Sequence, residues 1–238
     1  MLVLSVDSTA LSVSVVLSED EKFLAGTTLN IGNKHSTTLL PAIKFILDIA
    51  GKSVSDIDLI ALVAGPGSFT GVRIGAAAVK GLCLGREIPC IGVSSLETMA
   101  RGYASVEGIV CPMINARRDR YFTAYFMWND GSFTRITDDD TLSGDEIEGY
   151  LASLDRPVYL CGDGAELFLK AHSVPGVRPM TEMQKFPCAY YAGIIAREIF
   201  ESSEADVRTD FTAEALRPIY LRQPQAEREL EERLKGQN

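Results

Sequence analysis

Leu59 to Gly75 reads LIALVAGPGSFTGVRIG. Its first six residues are apolar without alternation, the pattern of a strand covered on both faces. Glycine, proline and serine then break the run, and from Val72 to Leu84 apolar residues return at helical spacing. The stretch is therefore a buried strand turning sharply into a helix. At such a junction free backbone N–H groups and the helix dipole can meet an anion. Neither common nucleotide loop fits. No Gly-Lys-Ser/Thr follows, the third glycine of a dinucleotide loop would fall at Thr70, and the next strand, ending at Ser94, lacks an acidic ribose ligand. A tight turn whose glycines serve positive φ and close packing is the other reading. Both stay open.

Working outward, three β-like runs precede this stretch, Leu2 to Val6, Ser12 to Leu17 and Phe23 to Asn30, and suggest a meander. Between them and Leu59, Leu39, Ile43, Ile46 and Ala50 recur at helical spacing from His35 to Ala50, with Pro41 expected in an early turn and Gly51 as the stop. After the glycine turn come a strand at Pro89 to Val93 and a helix at Ser95 to Tyr103, capped by Ser94 or Ser95. The first six of these elements form a β-β-β-α-β-α unit, with the strand at Pro89 and the helix at Ser95 following it. The second half repeats it more loosely: strands at Ile109 to Ile114, Tyr121 to Trp128 and Phe133 to Thr137, a helix at Asp145 to Leu154, a strand at Val158 to Cys161 ending in Gly162-Asp163-Gly164, and a helix at Ala189 to Glu201. The expectation is an α/β protein of the actin-like, ribonuclease-H-like (ASKHA) class with duplicated lobes, 1–104 and 105–222. Residues 223–238 are expected to form a polar tail.

Along the helix after the glycine turn, Gly71, Gly75 and Ala78 lie near one face, and Ala77, Gly81 and Gly85 near another. Glycine in a helix costs about 0.5–1 kcal/mol relative to alanine, so several together imply that something must come close. At least one smooth face is expected to serve a partner subunit. Asp7-Ser8-Thr9 follows the first strand, where actin-like proteins place an acid and a hydroxyl near phosphate; a plain Asx turn is the alternative. Asp7, Thr9, Gly67, Ser68 and Arg117 are the candidate nucleotide- or anion-binding residues, with Gly162-Asp163-Gly164 as a second flank.

The residues present exclude other chemistries. The two histidines, His35 and His172, are far apart in sequence, and a helical HxxxH site anchored at His35 would need histidine where Leu39 stands. No GxSxG elbow occurs. The five cysteines are scattered without a CxxC pair, which argues for reduced thiols. A formal net charge of −9 disfavours direct phosphate-backbone binding. The N-terminal MLVLSVDST lacks a basic leader and no apolar run reaches bilayer length, so a cytoplasmic, membrane-free protein is expected.

GPGSFTGVRIGAAAVKGL, together with DST at Asp7 to Thr9, KHSTTLLPAI at Lys34 to Ile43, NARRDRYF at Asn115 to Phe122 and PIYLR at Pro218 to Arg222, resembles the TsaB (YeaZ) family over nearly the whole chain. That resemblance implies a non-catalytic subunit for threonylcarbamoylation of the adenosine next to the anticodon in tRNAs reading codons that begin with adenine. The transfer would belong to the paralogue TsaD, with the ATPase TsaE as a further partner and tRNA contacted only indirectly. The two helices would bind TsaD, or a second copy of this chain in its absence, through His35, Leu39, Ile43, Ile46, Val72, Gly75, Ala78, Val79 and Leu82. No cofactor or metal is expected of the chain itself, ATP or ADP entering at or through the TsaD complex. Asn115 departs from an aspartate frequent in the family, which weakens a metal-assisted nucleotide site.

Overall fold

The structure is a computed structural model that describes residues 1–32, 34–179 and 188–222. The expected tail at 223–238 lies outside the described residues. β1 (Leu2–Asp7), β2 (Val13–Glu19) and β3 (Lys22–Leu29) form the antiparallel meander. α1 (His35–Ile49) then leads to β4 (Leu59–Gly65), parallel to β1, and α2 (Phe69–Cys83) leads to β5 (Cys90–Ser94), parallel to β4. Parallel neighbours need such crossovers, because a tight turn cannot reverse the chain twice. The sheet order is β3-β2-β1-β4-β5.

α3 (Ser95–Arg101), held at its start by the Ser94 hydroxyl accepting from Leu96 N and Glu97 N, leads to the second sheet. Its first five strands are β6 (Gly108–Asn115), β7 (Arg120–Thr123), β8 (Phe126–Asn129), β9 (Ser132–Arg135) and β10 (Asp140–Ser143), and two later strands complete it. α4 (Gly144–Ala152), β11 (Val158–Cys161), α5 (Asp163–Ala171), β12 (Val177–Pro179), α6 (Ala189–Ser202) and α7 (Ala205–Arg208) complete the described chain. The expected single strand at 121–128 is broken at Ala124 and Tyr125. Its two parts, β7 and β8, pair with opposite ends of β6, and the strand beyond is split in the same way into β9 and β10. The break costs little because Tyr125 N donates to Thr137 Oγ1 and Tyr125 O accepts from Ile136 N. With each broken pair counted as one strand, the second sheet repeats the order of the first.

Three local expectations are corrected. α2 starts at Phe69 rather than Val72, because Ser68 caps it and Gly71, read as part of the turn, is helical. Gly162-Asp163-Gly164 is not merely a turn: Gly162 takes φ +88° as the cap and Asp163 opens α5. Pro41 stands inside α1, beyond the early turn expected for it.

The cores also do not divide at residue 104. α6 lies against the first sheet, with Ala192, Ile195 and Ala196 among Val3, Leu59, Ala61, Val63 and Ile91. A Cβ at Gly193 would come within 2.4 Å of Ser5 Oγ, so glycine lets this helix settle on the strand. Conversely, Leu96 and Ala100 of α3 pack with Val110, Phe126 and Trp128 of the second sheet, and Trp128 Nε1 donates to Ala100 O at 3.0 Å. Each lobe thus borrows a helix from the other half of the chain.

Candidate functional site

The C-terminal ends of β1 and β4 bring two turns together. Ser68 N donates to Thr9 O at 2.7 Å, and Ser68 Oγ accepts from Gly71 N at 3.3 Å. The start of α2 therefore rests on the Asp7-Ser8-Thr9 turn. A Cβ at Gly67 would sit 2.6 Å from Thr9 O, one at Gly71 2.0 Å from Ser8 O, and one at Gly75 2.5 Å from Ser8 Oγ. Real side chains do not approach that closely, so these three glycines are close-packing residues.

Beside this contact a cleft of about 730 Å³ runs between the lobes, lined on one wall by Thr9, His35, Gly67, Ser68 and Thr70, and on the other by Asn115, Arg117, Phe122 and Asp163. Thr9, Gly67, Ser68 and Arg117 are thus brought together as expected. Asp7 is not. It is fully buried, its Oδ1 accepts from Thr9 N at 2.8 Å and Thr9 Oγ1 at 2.7 Å, and its Oδ2 has no hydrogen-bond partner among the described residues. Burial pushes its carboxyl above the usual range, against the opposing effect of the Thr9 hydrogen bonds. Asp7 holds the Thr9 turn from behind rather than facing the cleft.

The opposite wall is held by a strained loop. Arg117, Arg118 and Asp119 take φ of +66°, +57° and +51°, a conformation disfavoured for side-chain-bearing residues. Arg117 N donates to Asn115 Oδ1 at 2.8 Å, Ala116 N to Arg120 O at 2.9 Å, and Gly144 N to Asp119 O at 3.2 Å. Asn115 therefore closes the loop. Asp163 Oδ1 accepts from Asn115 N at 3.2 Å, and burial raises its pKa. Sequence reasoning placed Asp163 as a flank, but it missed the cleft residues Tyr220 and Arg222. The PIYLR segment crosses from lobe to lobe: Ile219 N donates to Ala64 O at 2.7 Å, Tyr220 OH accepts from Arg73 Nε at 3.0 Å, and Arg222 Nη1 donates to Ala116 O at 2.6 Å.

The expected partner-facing residues are corrected as a set. His35, Leu39, Ile43, Ile46, Val72, Gly75 and Val79 are buried, with Leu39, Ile43, Ile46 and Val79 in the core on the first sheet and Gly75 against Ser8, while Ala78 and Leu82 are half-buried and pack against the same core. His35 Nε2 lies 2.9 Å from Ala10 O, an acceptor, so this nitrogen donates. The outer faces carry other residues. On α1, Leu40, Phe45 and Ile49 are 51 %, 57 % and 58 % exposed. On α2, Ala77 and Gly81 are exposed, followed by Leu84 at 81 %.

Among the described residues that line the cleft, no two acid–base side chains stand at hydrogen-bond distance from each other. His172 is elsewhere, its Nδ1 2.9 Å from Glu148 Oε2 and its Nε2 3.3 Å from Asp119 Oδ1. Glu148, Asp145 and His172 are the one group among the described residues with ligand atoms close enough to hold a metal ion. Among the described residues no helix is long and apolar enough to cross a membrane.

Two lobes repeating one sheet order around a cleft floored by a strand-to-helix glycine turn define the actin-like (ASKHA) class of proteins. Within that class a family model described as TsaD, tRNA N6-adenosine threonylcarbamoyltransferase, matches residues 30–229. The tRNA threonylcarbamoyladenosine biosynthesis protein TsaB of Bacillus subtilis (strain 168) is 30 % identical over 168 residues, 70 % of this chain and 73 % of the relative. Its namesake in Escherichia coli (strain K12) is 40 % identical over 128 residues, 53 % of this chain and 55 % of that protein. The solved structure of YeaZ from Pseudomonas aeruginosa superposes with a TM-score of 0.73 at 24 % identity, over 92 % of this chain and 99 % of that one, which speaks to the fold. The chain belongs to the TsaB (YeaZ) family.

Proposed function

We propose that this chain is a cytoplasmic, non-catalytic subunit in tRNA threonylcarbamoyladenosine biosynthesis that binds a TsaD-type protein through the outer faces of α1 and α2. The observation that carries this is the exposed pair Phe45 and Ile49, neighbours at i and i+4 on α1, together with the exposed small residues Ala77 and Gly81, neighbours at i and i+4 on α2. Two large apolar side chains more than half exposed on one face of a helix, with small exposed residues on the following helix, suit a surface that a partner covers. The names of the TsaB relatives support the pathway. In the absence of TsaD a second copy of the chain would cover the same face, and TsaE would join the pair. A net charge of −9 assigns most tRNA contact to the partner. The inward Asp7 supports a role without chemistry of its own, any ATP or ADP entering with the partner.

The double variant Phe45→Glu/Ile49→Glu, folded by circular dichroism, should weaken TsaD binding by about 30-fold or more, the scale of losing one central hot spot. Unchanged affinity would sink the interface. Heat on titrating ATP and magnesium into the isolated chain would count against the non-catalytic reading, and threonylcarbamoyladenosine persisting in tRNA after depletion of this protein would overturn the pathway.

A further inference from the structure

We propose that Cys83 and Cys90 form a modification site, a thiol pair that small hydroperoxides oxidise to a reversible disulfide at the C-terminal end of α2. The two sulfurs lie 3.5 Å apart. Cys83 is the last residue of α2 and Cys90 the first of β5, so one bridge would join helix to strand. To reach a disulfide length of about 2.05 Å the sulfurs must close by about 1.5 Å. The connecting loop can supply that movement: Leu84 to Glu87 are exposed and Gly85 already takes φ +70°. The other sulfurs have different neighbours. Cys111 Sγ meets Thr123 Oγ1 at 3.3 Å, Cys161 meets the Tyr103 hydroxyl, and Cys188 sits at the start of α6.

The pair is chemically asymmetric. The hydrogen bond from Cys90 lowers the Cys83 pKa, opposed by desolvation and aided by the Arg86 charge, while Cys90 is pushed up by the same contact and by burial. Cys90 Sγ also lies 3.6 Å from Ile88 O, an acceptor that only the Cys90 proton can satisfy, so Cys90 keeps its hydrogen as the resolving sulfur and Cys83 is the attacking one. Both are nearly buried, 5 % and 3 % exposed, which selects a small oxidant over a bulky disulfide. A surface cavity of about 390 Å³ lined by Arg86 to Pro89 with Ser55 and Asp58 opens onto the loop between them. In the first step the Cys83 thiolate attacks one peroxide oxygen, the O–O bond breaks, hydroxide leaves and takes a proton to become water, and Cys83 becomes a sulfenic acid. In the second, the Cys90 sulfur attacks the Cys83 sulfur, the S–O bond breaks, and the leaving hydroxide departs as water with the Cys90 proton. Two thiols and one hydrogen peroxide thus give one disulfide and two waters. The bridge would anchor the end of the helix whose outer face carries Gly81, but its formation does not depend on any partner.

The test treats the native full-length chain with a few equivalents of hydrogen peroxide, then denatures, alkylates and maps it by mass spectrometry. The expected product is two hydrogens lighter, carries a Cys83–Cys90 linked peptide, leaves Cys111, Cys161 and Cys188 alkylated, and reverts with dithiothreitol. In Cys90→Ala, dimedone should label Cys83, whereas in Cys83→Ala it should leave Cys90 unlabelled. Wild-type protein in which Cys83 and Cys90 stay alkylatable while Cys188 oxidises, or in which the bridge uses another cysteine, overturns the proposal without recourse to any variant.

Discussion

His172 shows how one side chain can tie three segments together. It caps the end of α5, stacks on Phe168 with ring centroids 4.8 Å apart, and stands between Glu148 of α4 and Asp119 of the strained loop, with Asp145 Oδ1 3.8 Å away. The hydrogen bond to Glu148, opposed by desolvation and helped by Asp119, raises its pKa above the ordinary histidine value. A raised pKa means that the folded state holds the proton more tightly. The stabilisation is complete below the unfolded value of about 6.5 and is lost as pH rises through the folded value. The gap in unfolding midpoint between wild type and His172→Gln should therefore be widest in mild acid and shrink toward alkaline pH. A gap independent of pH would show that stacking, not charge, does the holding. None of this was legible in the sequence, where His172 is a lone histidine with acidic residues 24, 27 and 53 positions away.

At the scale of elements, α2 decides the most. Its inner face is dictated by backbone approach: Gly71→Ala would drive a methyl group into Ser8 O and should cost about 1–3 kcal/mol, lowering the thermal midpoint by roughly 2–12 °C for a chain of this size. Gly81 faces open space, so Gly81→Ala should stabilise the isolated chain by about 0.5–1 kcal/mol through helix propensity. Differential scanning calorimetry of the two variants checks both signs, and equal effects would refute the inward–outward assignment. Sequence periodicity placed α1 and α2 to within a few residues. It did not say which stripe faced in, because both faces of α2 carry small residues and both faces of α1 carry large apolar ones. α5 was missed because Gly162 and Gly164 look like helix breakers, whereas one caps the helix and the other lets its first turn lie against Met113 O.

For the whole molecule, the segment Pro218 to Arg222 is the tie. Ile219 joins β4 of the first sheet, and Arg222 joins the loop of the second at Ala116 O. Tyr220 packs on Phe69, with ring centroids 4.9 Å apart, and Arg73 lies 3.7 Å over the Phe69 ring. Ending the chain at Arg217 should lower the unfolding midpoint and widen the spread of interlobe distances seen by small-angle scattering. A truncated chain as stable and as compact as the intact one would remove this segment's bridging role.

The α/β class, the two duplicated lobes, the glycine turn and the family were legible in the amino-acid sequence, although the helix at 189–201 was assigned to the place in the second unit that α5 holds. Those features rest on local periodicity, on glycine and proline chemistry, and on short motifs, all of which are written in neighbouring residues. Tertiary structure decided which helix faces are free, that Asp7 lies behind the cleft rather than in it, that Cys83 meets Cys90, and that α3 and α6 each serve the other half of the chain. Such facts depend on what packs over a residue from far along the sequence. Gly71 is a turn glycine, a partner-facing glycine or a packing glycine according to whether Ser8 lies 2 Å beyond its missing Cβ, and only the folded chain brings Ser8 there.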